Sequence, residues 1–175
     1  NRPLLMVGFN RRFSPLINQI KRDLSFLSGP KTIIYTCNAG RLSNDHWIQD
    51  PKIGGGRAIG EACHFLDLIR YLINSNISAM KINDSNSKIP HNTFNIEMKF
   101  DDGSLATLHY FSNGTKSYSK EKIEIFSDNN IFVLDNFRKL THWGGKRKLI
   151  KRLLYQDKGQ KNCVREFINS LSSGN

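Results

Sequence analysis

The sequence predicts an α+β fold, a mostly antiparallel open sheet with helices packed on one face, and three observations carry that prediction. Helix-opening signals fall in the first half, at Ser14-Pro15 and at Gly54-Gly55-Gly56. In the second half apolar and polar residues alternate, as at Phe94, Ile96, Met98 and Phe100. Two turn signals, Asp101-Asp102-Gly103-Ser104 and Ser127-Asp128-Asn129-Asn130, separate such runs and read as hairpins.

Taken in order, Leu4 to Phe9 is a short apolar run that reads as a strand, and Asn10-Arg11-Arg12-Phe13 reads as a loop. Ser14 is placed as an N-cap with Pro15 at the first helical position. That helix is expected to run to about Leu27, where Gly29-Pro30 stops it. Residues 31 to 38 read as a strand, with Ile33, Tyr35 and Cys37 alternating against Thr32, Ile34 and Thr36. Residues 39 to 53 show no period and read as a long loop carrying Arg41, Asp45, His46, Trp47 and Asp50. A glycine-led helix follows, to about Asn74. Strands are expected at 94–100, 105–111, 122–126, 131–134 and 137–143. A basic loop and a last helix from about Gln160 to Leu171 complete the chain.

The glycine-led helix holds the strongest functional signal. Arg57, Glu61, His64 and Asp67 recur at steps of four, three and three, which is one helical face. Ile59, Cys63, Leu66 and Ile73 are placed on a second, buried face. A charged stripe of this kind is commonly a solvated surface. The three glycines argue for more. They carry no side chain, they suit a sharp turn or a close ligand approach, and they stand at a helix N-terminus that favours anions.

At 175 residues the chain suits one domain able to bury about two thirds of its unfolded surface. Its hydrophobic fraction of 38 % and mean hydropathy of −0.46 suit a water-soluble protein, and no apolar run approaches a membrane span. Cys37, Cys63 and Cys163 form no close-spaced pair, which points to a reducing, cytoplasmic setting. No signal peptide opens the chain and it does not begin with Met, so it is expected to be a fragment of a longer protein.

The net charge of +11 is concentrated. Residues 138–161 hold nine Lys or Arg against one Asp, whereas residues 30–137 are close to neutral. Such a run can mark a nucleic-acid or anionic patch. It lacks the aromatic or zinc-finger motifs of nucleic-acid readers, and a lysine-rich loop on a soluble enzyme is the favoured reading.

Four segments carry a family resemblance. They are Met6 to Phe13, Trp47 to Gly56 with Asp50-Pro51 before the glycines, Gly54 to Asp67, and Gln156-Asp157-Lys158-Gly159 with the helix after it. The chain resembles the C-terminal domain of the glucose–fructose oxidoreductase / inositol dehydrogenase / MocA family, a domain of the dihydrodipicolinate-reductase and GAPDH type. The resemblance implies that residues 1–13 are the last strand and exit loop of a Rossmann domain. It makes residues 14–175 a substrate-binding and oligomerisation domain. Its Gly-Glu-x-Cys-His-Phe helix is similar to a subgroup found in polysaccharide or lipopolysaccharide gene contexts.

That resemblance implies an NAD- or NADP-dependent oxidoreductase acting on a sugar, cyclitol or nucleotide-sugar. His64 falls on the family's acid/base histidine, and Glu61 is paired with it as a catalytic candidate. Asp67 falls on an acidic position that either orients His64 or forms a helix-stabilising ion pair. Asn10 and Arg11 fall where the family approaches nicotinamide and substrate. Arg41, His46, Trp47, Gly55 and Gly56 are further substrate-binding candidates on the loop. Gly60 stands where many members carry Asp, so Glu61 is expected either to take over part of that role or to leave it unfilled. The Gly-x-Gly-x-x-Gly loop and the Glu-Lys-Pro of the family's first domain are not in this sequence, so the fragment alone is expected to bind dinucleotide poorly and to be inactive.

Two other functions compete. Glu61-x-x-His64 has a carboxylate-bundle metal spacing, with His46 or His109 as partners, but no second copy exists and no metal is assigned. A non-enzymatic binding or assembly module using 138–161 is the alternative. Finally, the aromatic bulk at Phe94, Phe111 and Phe126 predicts a homo-oligomer formed through the open sheet face.

Overall fold

The computed structural model describes residues 4–43, 45–50, 52–84, 93–144 and 147–173. Residues 1–3, Pro51, Gly145 and Lys146, which the sequence reading uses, lie outside them. Helix α1 spans Pro15–Leu24, α2 Cys63–Ile73 and α3 Gln160–Ser173. The strands are β1 (Thr32–Asn38), β2 (Ile77–Asp84), β3 (Phe94–Phe100), β4 (Leu105–Phe111), β5 (Glu121–Ser127), β6 (Asn130–Asp135), β7 (Lys139–Gly144) and β8 (Arg147–Arg152). They form one sheet in the order β2-β3-β4-β1-β5-β6-β7-β8. The β1–β4 pair is parallel and the other pairs are antiparallel.

One sheet face and the helices make the core. Ile33, Tyr35 and Cys37 point inward from β1 as their alternation predicts. They meet Leu16, Ile17 and Ile20 of α1 and Phe65, Leu68, Ile69 and Leu72 of α2 in one cluster. Burying each large side chain of this kind contributes about 1.5–3 kcal/mol. Phe94 belongs to this inner face, stacked 4.9 Å from Tyr110. Phe111 and Phe126 lie instead on the open face. The open face also shows Leu105, Ile131 and Trp143, and these five side chains are 36–48 % exposed. The hairpin turn at Asp128-Asn129 has positive φ at both residues, as its sequence predicts.

Several expectations are corrected. Leu4 to Phe9 forms no strand; the Phe9 and Asn10 amides turn back to Val7 O and Gly8 O at 2.8 Å, and Leu5 is 88 % exposed. A strand needs a ladder neighbour, and none of the described residues pairs with this run. Asn10–Phe13 is a 3₁₀ turn, not a loop. The α1 helix ends at Leu24, because the Phe26 and Leu27 amides tighten onto Asp23 O and Leu24 O. Ser14 holds the N-cap position, but its hydroxyl donates to Asp157 O at 2.8 Å and does not cap.

In the second half, Phe137 has positive φ and turns the chain, so β7 begins at Lys139. Much of the basic segment is strand: Arg147–Arg152 pairs with β7 through the backbone, which is indifferent to side-chain charge. Cations on an edge strand also discourage further pairing. The opposite edge, β2, carried no sequence signal, since most of its residues are exposed and β3 alone holds it. Among the described residues, no helix is long and apolar enough to cross a membrane.

Candidate active site

The site is assembled where the turn before α1, the start of α2, the head of β5 and the segment before α3 meet. Asp157 O takes the Ser14 hydroxyl, the Asn10 side-chain amide donates to Lys158 O at 2.7 Å, and that of Asn162 donates to Phe13 O at 3.0 Å. Gly159, at φ +84°, passes so close to the turn that a Cβ there would lie 2.4 Å from Asn10 O. Two ends of the chain are thereby fastened to each other.

The glycine turn is wound around one carbonyl. Asp50 O accepts from the Ile53, Gly54 and Gly55 amides at 3.2, 2.8 and 3.1 Å. Gly55 and Gly56 have φ +68° and +81°, which L side chains rarely adopt, and a Cβ on Gly56 would meet nothing within 4 Å. The backbone is therefore open at Gly56.

Helix α2 is entered through a π-helical turn, Ala58–Ala62, a feature frequent at functional sites. This turn overturns the expected buried face. Ile59 is 70 % exposed and Cys63 and Leu66 are half-buried; of that set only Ile73 is in the core. The buried face is Phe65, Leu68, Ile69, Leu72 and Ile73, because the wider turn puts Ile59 out of phase with the helix that follows.

The four polar residues of the predicted stripe are divided among different partners. Arg57 is 2 % exposed; it donates to Gly40 O at 2.7 Å, lies 3.6 Å from Glu61 Oε2 and stands 5.1 Å over the Tyr110 ring. Glu61 also accepts from the Tyr110 hydroxyl. Burial, and then this bond, push the Tyr110 phenol well above its usual pKa. Asp67 is held by Arg12, whose Nε donates to Oδ2 at 2.6 Å while Nη2 donates to Oδ1. His64 is half-buried, its ring edge-on to Phe9 at 5.6 Å, and its buried Nδ1 has no hydrogen-bond partner among the described residues. Burial, and then the nearby Arg11, lower the imidazole pKa below 6.5.

Behind His64 lies a cluster that sequence reasoning missed apart from Arg11. Glu121, 1 % exposed, accepts from Arg11 Nε and Nη2 at 2.8 and 2.9 Å, from Lys158 Nζ at 2.7 Å and from the Tyr35 hydroxyl. Burial alone would raise the Glu121 pKa, but the bonds and charges of Arg11 and Lys158 outweigh it and hold the carboxyl at about 2. A signal was present: Glu121 continues the inward row of Ile123 and Ile125, so its carboxylate must point to the core.

The loop candidates lie apart from this cluster. Arg41 is exposed. His46 accepts the Ile48 amide at 3.3 Å and stacks on Trp47, 5.9 Å away, and Trp47 is 59 % exposed. A cavity of about 610 Å³ lies at the far end of α2, between Arg12, Arg70 and Asn74, and holds none of the expected site residues. No cluster of three His, Cys, Asp or Glu side chains able to hold a metal ion occurs among the described residues.

Known proteins share this architecture. An uncharacterised oxidoreductase, YrbE of Bacillus subtilis (strain 168), is 25 % identical over 146 residues, which are 78 % of this chain and 42 % of that protein. The crystal structure of UDP-N-acetylglucosamine 3-dehydrogenase GnnA from Acidithiobacillus ferrooxidans superposes with a TM-score of 0.78 at 16 % identity, covering 98 % of this chain and 54 % of that one. The aldose-aldose oxidoreductase from Caulobacter crescentus gives a TM-score of 0.78 at 16 % identity, over 97 % and 54 %. The chain thus spans about half the length of these relatives. The oxidoreductase-family C-terminal α/β domain profile matches residues 31–127, from β1 through β5, and the chain belongs to the Gfo/Idh/MocA oxidoreductase family.

Proposed function

We propose that this chain is the substrate-binding portion of an NAD(P)-dependent oxidoreductase acting by hydride transfer on a hydroxyl or ketone of a sugar, cyclitol or nucleotide-sugar. The observation that carries the reading is His64. It stands on the helix that the glycine turn opens, its pKa is lowered, and among the described residues its Nδ1 has no partner that would fix a tautomer. A neutral imidazole in that state can accept the proton of a substrate hydroxyl, and the protonated ring can return it to a forming alkoxide. Gly56 leaves the backbone beside the helix start open to a substrate. The sugar and nucleotide-sugar names of two structural relatives support that substrate class.

The reading assigns no dinucleotide site to the described residues. The sequence has no Gly-x-Gly-x-x-Gly loop. The side-chain amide of Asn10 donates to Lys158 O, and Arg11 is held by Glu121. The reading therefore gives this chain the substrate and the proton, and leaves the dinucleotide to residues outside the sequence. A role in polysaccharide or lipopolysaccharide synthesis remains part of the same proposal.

The test is His64→Ala in a longer protein that carries this sequence together with a dinucleotide domain. Turnover is expected to fall by roughly two orders of magnitude. Near wild-type turnover would remove His64 from the chemistry. Fluorescence titration with NADH and NADPH is expected to show binding by that longer protein and none by this chain alone.

A further inference from the structure

Three cations of the basic segment line one cavity. It measures about 310 Å³, lies beside the β6–β7 turn, and is walled by Arg138, Lys139 and Arg152 together with Asp135 and Asn136. In the ladder Asp135 stands between Lys122 of β5 and Lys139 of β7, and Lys139 stands opposite Arg152 of β8. Lys122 is taken by Glu124 at 3.1 Å. Arg138, Lys139 and Arg152 form no ion pair with a described residue. Asp135 closes on none of them, and its buried Oδ1 has no hydrogen-bond partner among the described residues. One carboxylate and three cations thus share a cavity unpaired, which leaves a surplus of positive charge.

The turn that carries this wall is held in place. Asn136 and Phe137 have φ +50° and +54°, a conformation that bulky side chains seldom adopt, and the Arg138 amide closes the turn on Asp135 O at 3.0 Å. The Asn136 amide donates to Glu121 O at 2.7 Å, and the Leu153 amide to Arg138 O at 2.8 Å. Gln156 Nε2 donates to Asn136 Oδ1 at 2.7 Å, so the Asn136 side-chain NH₂ is left as a free donor among the described residues. Backbone strain of this kind is often kept where a site must be fixed.

We propose that this cavity is a binding site for a phosphorylated polyol, such as a sugar phosphate, whose phosphate lies among Arg138, Lys139 and Arg152 and whose hydroxyl donates to Asp135. A phosphate monoester carries about −1.5 to −2 at pH 7, which matches the surplus of the wall. Arginine forks and a lysine give it short charge-assisted hydrogen bonds. The volume is at the small end of ligand pockets, which suits a monosaccharide ester. The acid in the wall disfavours a continuous phosphate backbone, whereas a hydroxyl beside the phosphate satisfies it. None of Glu61, His64 and Asp67 lines the cavity, so the site is separate from the oxidoreductase reading and does not rest on it.

Isothermal titration calorimetry of this chain in low salt, with glucose 6-phosphate, inorganic phosphate and glucose, tests it. Glucose 6-phosphate is expected to bind most tightly, inorganic phosphate more weakly and glucose not at all. Lys139→Met and Arg152→Met are each expected to weaken glucose 6-phosphate by about tenfold or more. His64→Ala is expected to leave that binding unchanged. Asp135→Ala removes a like charge and an acceptor, so it is expected to tighten inorganic phosphate and to narrow the preference for the ester. Circular dichroism confirms that each variant is folded. Absence of binding by both phosphates overturns the proposal, as does equal affinity for the two. Affinities that Lys139→Met and Arg152→Met leave unchanged overturn it too. A loss in His64→Ala would move the ester to the candidate active site and overturn it. So would a single-stranded oligonucleotide that binds more tightly than the ester, since that would give the cations to a polymer.

Discussion

The side chain of Ile48 fills the space that a Cβ on Gly60 would occupy, its Cγ1 and Cδ1 atoms lying 2.9 Å from that position and Gly54 O at 3.1 Å. The loop before α2 is seated on the π-helical turn through this contact, and Ile48 is buried by it. Residue 60 thus offers a packing contact and no side chain of its own, and the loop's His46–Trp47 pair is carried on the same seat.

Gly60→Ala in an ordinary helix would stabilise by up to about 1 kcal/mol. Here the gain is expected to vanish, because Ile48 and the Gly54 carbonyl must yield. Gly60→Asp is expected to unseat the loop and lower the melting temperature by several degrees, a loss on the order of 1–2 kcal/mol. Thermal unfolding of the two variants checks this, with Trp47 fluorescence reporting the loop; a Gly60→Ala variant more stable than the parent would contradict it.

The Arg12–Asp67 pair ties the turn before α1 to the middle of α2. Asp67 is nearly buried, but the Arg12 side chain is over a third exposed, so solvent weakens the pair. A double-mutant cycle of Arg12→Met and Asp67→Asn is expected to give a coupling of about 1 kcal/mol in urea unfolding. An Asp67 that served only to orient His64 would show no coupling to Arg12.

Glu121 makes stability depend on acid. Its folded pKa of about 2 lies below the usual value of 4.5, so the native state favours the carboxylate. That stability is fully present above about pH 4.5 and is lost as pH falls toward 2. The loss amounts to about 3 kcal/mol on linkage arithmetic. Urea unfolding between pH 7 and pH 3 is expected to show a steeper decline in the parent than in Glu121→Gln, which has no carboxylate to protonate at this position. Parallel declines would assign the acid sensitivity to other groups.

The sequence made the inner sheet face legible because a buried strand must alternate, as Ile33, Tyr35 and Cys37 do. The glycine turn was legible because glycine adopts φ +68° and +81° in succession without the steric cost a side chain brings. Edge strands were not. Most β2 side chains are exposed and β8 is dominated by cations, so neither shows a core-facing period, and backbone pairing alone makes them strands. The π-helical turn hid the true face of α2, since a stripe counted at 3.6 residues per turn slips where the turn widens. His64 could be named from its helix, but the partners of Glu61 and Asp67 come from β4 and from the first turn of the chain. Such long-range pairings leave no local pattern.

The open face of the sheet yields the last prediction. Leu105, Phe111, Phe126, Ile131 and Trp143 project from the side away from the helices, and the ladder places Phe126 opposite Ile131 and Ile131 opposite Trp143. An apolar row of this kind, left to water, is costly, and a contiguous patch of a few hundred Å² commonly marks an interface. Acidic and basic residues flank it, with Glu124 beside Val133 and Lys122 beside Asp135, so a second copy could meet both its apolar row and its charges. Light scattering at tens of micromolar is therefore expected to show self-association. Phe126→Glu is expected to shift the protein toward monomer without loss of fold, because this side chain takes no part in the helix-facing core. A parent chain that stays monomeric at these concentrations would remove the second copy from the sheet and leave the exposed row without an occupant.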